Sequence, residues 1–146
     1  MKLWDWTLAA YDRPDVPQTC LHLQDDHGLN TSLLLWAIWS GAVDPGLLAT
    51  AATLARRWDD EVLWPLRNTR RALKARMPSL DDAAREGLRE DVKAAELRAE
   101  RVLMESLEAL AHPRDEDPVL ALEAVCAAWG TQPPLESLER LAGALG

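Results

Sequence analysis

The stretch Asn30-Thr31-Ser32-Leu33-Leu34-Leu35-Trp36-Ala37-Ile38-Trp39-Ser40-Gly41 decides the fold of this chain. Asparagine is a favoured helix N-cap and glycine a favoured residue just past a helix end, so the residues between them read as one helix, Thr31 to Ser40. The run from Leu33 to Trp39 leaves that helix no polar face, and such a helix is stable only when neighbours cover it on most sides. It is too short to span a bilayer. The segment is therefore expected to form the central rod of a globular core.

The flanking sequence supplies helices to cover it. Leu3 to Tyr11 reads as a first helix with Trp4, Leu8 and Tyr11 on one stripe, and a second runs from Val16 to about Asp26. In the second helix Asp15 is the expected N-cap, Pro17 lies in the first turn, Gly28 follows the end, and Val16, Cys20, Leu23 and His27 form the stripe. Asp44-Pro45 opens a long helix along Leu47, Ala51, Leu54, Trp58, Val62, Leu66 and Leu73. Pro65 must kink or split it, because proline lacks the N–H and crowds the carbonyl four residues earlier.

Ser79 with Asp82 resembles a capping box for a helix from Leu80 to about Ala111, with a stripe of Ala84, Leu88, Val92, Ala95, Ala99, Val102 and Leu110. His112-Pro113 ends it. Asp117-Pro118 starts a helix that runs to Trp129 before Gly130, and Pro134 starts a last short one. Strand signals are scarce, and the short turn at Pro78 sets the two longest helices antiparallel. The expected fold is all-α: a single domain, residues 1–146, of six to seven helices around the Thr31–Ser40 rod.

Composition agrees with a globular chain: 146 residues, 48% hydrophobic and 27% charged. A chain of this length buries roughly 68% of its unfolded surface. Seven tryptophans stand against one tyrosine and no phenylalanine, so each buried indole will want an acceptor for its N–H. The two cysteines, Cys20 and Cys126, lie far apart in apolar helical patterns and read as reduced core thiols.

The net charge of −8 is unevenly placed, with −4 over residues 1–55, +4 over residues 56–76 and −8 over residues 77–146. An acidic whole argues against general attraction to nucleic acid or anionic membrane. The N-terminus lacks the pattern of a signal peptide, so the expected compartment is the cytoplasm.

Several segments together carry a resemblance. They are Trp4-Asp5-Trp6, the run Cys20-Leu21-His22-Leu23-Gln24-Asp25-Asp26-His27-Gly28-Leu29-Asn30, Leu33-Leu34-Leu35-Trp36, Trp64-Pro65-Leu66-Arg67, and Lys93-Ala94-Ala95-Glu96-Leu97-Arg98-Ala99-Glu100. Over roughly residues 3 to 110 the chain resembles a bacterial family of short helical proteins known as a domain of unknown function. The resemblance implies an all-helical fold and brings no activity.

Three groups of residues could carry chemistry. Gln24 follows Cys20 by one turn and should face inward, while Asp25 and Asp26 lie in the last turn of their helix, where the dipole opposes anions by roughly 0.3–1 kcal/mol. These groups are expected to cap the next helix, with Asn30, or to pair with bases of the Arg56–Lys74 segment. His27 reads as a satisfied, half-buried side chain.

Glu96 and Glu100, one turn apart at the edge of the expected buried stripe, need partners, and Arg57, Arg67, Arg70 and Arg71 on the preceding helix are the obvious ones. Arg67, Arg70, Arg71 and Lys74, with Trp64 nearby, make a basic face that serves as a solvated surface or as the acceptor for the chain's own acidic helix. No nucleophile elbow, phosphate loop, dinucleotide turn or zinc-binding Cys/His set occurs, and Glu108 with His112 has the wrong spacing for a bundle metal site.

The sequence therefore points first to a non-catalytic adaptor or regulatory module with a protein partner, without metal or cofactor. A second reading is a small-molecule-binding protein or enzyme with a polar pocket of Gln24, Asp25 and Asn30 with Arg57, Arg67, Glu96 and Glu100, set between the second helix and the Leu80–Ala111 helix. A third is weak binding of RNA or a phosphorylated ligand through Arg67 to Lys74.

Overall fold

A computed structural model describes all residues from Met1 to Gly146. The chain is helical throughout, in the order α1 (Leu3–Tyr11), α2 (Val16–His27), α3 (Thr31–Ser40), α4 (Pro45–Trp58), a π-helical segment (Asp59–Leu63), α5 (Trp64–Ala72), α6 (Asp82–Glu108), α7 (Pro118–Trp129) and α8 (Leu135–Leu145). Because α4, the π segment and α5 follow one another without a break, the molecule consists of seven rods.

Caps set most of the boundaries. The side chains of Asn30, Asp44 and Asp117 accept from the backbone N–H of Leu33 at 2.9 Å, Leu47 at 2.9 Å and Val119 at 2.8 Å. Two boundaries differ from expectation. Asp81 rather than Ser79 caps α6, accepting from the Ala84 N–H at 2.8 Å, and the helix ends at Glu108. Asp15 precedes α2 in the left-handed region, with φ 70°, and makes no side-chain cap.

Pro65 acts through the turn before it. The Trp64 N–H donates to the Asp59 carbonyl, five residues back, and the rod continues beyond. The widened turn relieves the crowding between the proline ring and the Glu61 carbonyl without ending the helix.

α3 is the hub. Leu33, Leu34, Leu35, Trp36 and Ala37 are all essentially out of water, and the rod touches α1, α2, α4, α6 and α7. Full burial stabilises by about 1.5–3 kcal/mol for each of the three leucines. Cys20 and Cys126 are both buried and free. The indoles of Trp39, Trp58 and Trp129 donate to the carbonyls of Met1, Ala99 and Gly28, whereas Trp36, in the centre, has a buried N–H with no acceptor.

Two faces turn differently from the expected stripes. α1 buries Leu3, Thr7 and Ala10, one position earlier than Trp4, Leu8 and Tyr11. It runs antiparallel along the last turns of α6, where the Leu3 N–H donates to Glu108 at 2.6 Å and the Thr7 hydroxyl lies 3.5 Å from the Met104 sulfur.

α6 buries Arg85, Ala99, Leu103, Met104 and Leu107, while Leu88 and Val102 of the expected stripe stand 51% and 42% exposed. The physical reason is that the inward face of α6 carries charged groups whose partners lie across the interface, which makes it look like a surface. α5 and α6 do run antiparallel, since Arg85 reaches the Leu73 carbonyl while Arg70 meets Glu96.

Candidate functional site

The region where α2, α5 and α6 meet holds a polar network inside an otherwise apolar bundle. α5 projects Arg67 inward, its side chain only 8% exposed. Its Nη2 donates to Gln24 Oε1 at 3.3 Å and its Nε lies 3.8 Å from Glu96 Oε1. Arg70, one turn on, holds the same carboxylate with both arms of its guanidinium, Nε at 2.6 Å and Nη2 at 3.4 Å. Glu96, 12% exposed, thus has two cations. At the rim, Asp25 Oδ1 and Arg71 Nη2 are 3.7 Å apart, both half exposed.

Glu100 lies one turn beyond Glu96, half-buried, and its side chain takes part in no ion pair or hydrogen bond within the chain. Burial, helped by the neighbouring Glu96 charge and opposed by Arg67 and Arg70, pushes its carboxyl up to about 7 from the usual 4.5. Asp59, in the π segment, is also raised, first by burial and then by Asp60, against the pull of Arg67 and Arg56.

The Tyr11 phenol at the end of α1 is raised by burial and by the charges of Cys20 and Glu100, with Thr31 opposing. The Cys20 thiol is pushed up to about 11 by burial. Arg67 and Arg70 are thus both turned to Glu96, and Glu100 beside it is left without an ion-pair partner. By holding a proton Glu100 avoids the cost of a half-buried charge and, second to that, the repulsion of Glu96.

The network gathers Gln24, Arg67, Arg70, Glu96 and Glu100, with Asp25 and Arg71 beside it. The other residues singled out from the sequence lie elsewhere. Asn30 is spent on the α3 cap. Arg57 sits on the far side, 3.3 Å from Glu61, where it lines a cleft of about 390 Å³ with Arg56, Asp60 and Ala128. Trp64 is exposed beneath the guanidinium groups of Arg67 and Arg71, 5.8 and 5.9 Å from its ring centre. His27 packs edge-on against His22, ring centres 5.1 Å apart.

The five principal clefts of the surface are lined by none of Gln24, Arg67, Arg70, Glu96 or Glu100. No three His, Cys, Asp or Glu side chains converge as metal ligands would. No helix is long and apolar enough to cross a membrane.

Tyr11, Cys20 and Asp59 belong to the neighbourhood without having been singled out. Tyr11 and Cys20 read as members of apolar stripes, which hides their polar atoms. The one usable signal was Pro65, which announces a distorted turn just where Asp59 enters.

Comparison with curated proteins and with solved structures returns no match. A family model described as "Protein of unknown function (DUF2390)" matches residues 2–107, the part of the chain that includes α1 to α6 and every residue of the network. The chain belongs to this family of proteins of unknown function.

Proposed function

We propose that the chain is a non-catalytic cytoplasmic interaction module that receives a basic segment of a protein partner at the edge of the network formed by Glu100 and Tyr11. The observation that carries this reading is the unpaired carboxylate: Arg67 and Arg70 both turn to Glu96 and leave Glu100, one turn on and half-buried, without an ion-pair partner. A lysine or arginine brought beside Glu100 would complete the pairing and let the carboxyl ionise. The net charge of −8 favours encounter with a basic partner and disfavours an acidic one.

The test is a photo-crosslinking residue at Leu8, an exposed position one turn before Tyr11, in the full chain. The expected adduct is with a basic protein, is lost in Glu100→Gln and at high salt, and persists in Arg57→Ala. Failure to form an adduct, or an adduct indifferent to Glu100→Gln, sinks the reading.

The small-molecule reading has one observation in its favour, a carboxyl poised near neutrality beside two arginines, the arrangement used by general acids and bases. It requires a ligand to displace Gln24 from Arg67, so Gln24→Ala should tighten binding of an anionic probe such as citrate. Calorimetry that detects no citrate binding to that variant removes it. Phosphate or RNA recognition retains only Lys74 without a carboxylate partner, because Arg67 and Arg70 are turned to Glu96 and Arg71 faces Asp25.

A further inference from the structure

We propose that the outer face of α6 is the interface of a two-fold symmetric dimer of this chain, with the axis passing beside Ala95. Leu88, Ala95 and Val102 recur at intervals of seven, so they lie on nearly one line along the helix, drifting by only about 20° per repeat. Ala84, Asp91 and Arg98 precede them by four each, which completes the alternating four-and-three spacing by which helices pair. All six positions are exposed, and no other element of the chain covers them.

The occupant follows from symmetry and charge. When a second copy of α6 is laid antiparallel with Ala95 on the axis, Leu88 of one copy meets Val102 of the other and Ala95 meets Ala95, the small side chain at the crossing allowing close approach. The same register brings Asp91 of one copy to Arg98 of the other, twice.

Neither Asp91 nor Arg98 has an ion-pair partner within its own chain, although their neighbours Glu90 with Lys93, and Arg101 with Glu105, do pair internally. A face whose charges are unpaired within one copy and mutually complementary between two copies is what an isologous contact requires. An open cleft of about 570 Å³, lined by Trp4, Leu97, Arg98, Arg101 and Val102 among others, adjoins the point where Leu88 of the second copy would arrive.

The test uses the whole chain. Light scattering on the eluting protein should give twice the 16.2 kDa chain mass. Asp91→Arg or Arg98→Asp alone should weaken the dimer at least tenfold, since each sets like charges face to face, and the double exchange should restore it.

Ala95→Cys fixes the register. Under oxidation it should cross-link to itself, whereas Leu88→Cys should cross-link only when mixed with Val102→Cys. Both native cysteines are buried, so they leave the assay clean. Because every altered side chain is exposed, circular dichroism should show unchanged helix content throughout. A monomeric wild type, a dimer indifferent to charge reversal, or Leu88→Cys linking to itself would each overturn the proposal.

Discussion

At the scale of single residues, the network divides into charges that are needed and charges that are tolerated. Arg67 is buried between Gln24 and Glu96, so Arg67→Met leaves the Gln24 amide without its partner and Glu96 with Arg70 alone, and urea unfolding should show a loss of about 2 kcal/mol. Arg57, exposed beside Glu61, is the contrast: Arg57→Ala should change stability by less than about 0.5 kcal/mol.

Glu100 works in the opposite sense. Its carboxyl titrates at 4.5 when unfolded and near 7 when folded, so the fold prefers the protonated acid. The contribution is fully present below about pH 4.5 and is lost as pH rises through about 7. Glu100→Gln should therefore be more stable than wild type at pH 8, by roughly 2–3 kcal/mol, with the gap closing toward pH 5. A gap that is constant with pH would show that Glu100 does not titrate as described. The proposed partner cation needs the ionised form, so its affinity should rise over the same interval in which wild-type stability falls.

At the scale of elements, helix ends were legible because they depend on local chemistry. Asn30, Asp44 and Asp117 cap, and Gly28, Gly41 and Gly130 follow helix ends with positive φ, as their residue types indicate. Helix faces were less legible, because a face is chosen by what packs on it. α1 turned one position, and α6 buried Glu96 while exposing Leu88, since the arginines that neutralise Glu96 belong to another helix and leave no trace in the periodicity of α6. The pairing of Glu96 with the Arg67–Arg71 segment could be read from the antiparallel order, whereas the arrival of Tyr11 and Asp59 depended on tertiary contacts.

Two glycines that look equivalent in sequence separate on the same ground. A methyl group at Gly28, φ 64°, meets nothing, so Gly28→Ala should cost only the left-handed backbone strain, about 1 kcal/mol. At Gly41, φ 62°, the added carbon would sit 2.7 Å from the Arg114 carbonyl oxygen, on the strand of chain whose Arg114 N–H donates to Ser40. Gly41→Ala should lower stability by about 3 kcal/mol, and equal thermal shifts for the two variants would contradict this packing.

At the scale of the molecule, the family match ends at residue 107 but the core does not. α7 lies against α3 and α4, and α8 packs on α2 and α7, so the hub predicted from Leu33 to Trp39 is covered partly by residues outside the match. Leu122, Val125, Cys126, Leu138 and Leu141 are fully buried in the same continuous core as Leu34 and Trp36. Trp129 adds directed contacts, donating to the Gly28 carbonyl at 2.9 Å while the Arg56 guanidinium stacks 3.9 Å from its ring centre. A chain cut after Leu110 would keep every residue of the polar network but expose one side of a helix that has no polar face. It should retain most of its far-ultraviolet helical signal, bind a hydrophobic dye and lose its cooperative urea transition, as a collapsed state without fixed packing does. A sharp transition with a wild-type midpoint would mean that α1 to α6 are self-sufficient and that α3 is not the centre of one shared core.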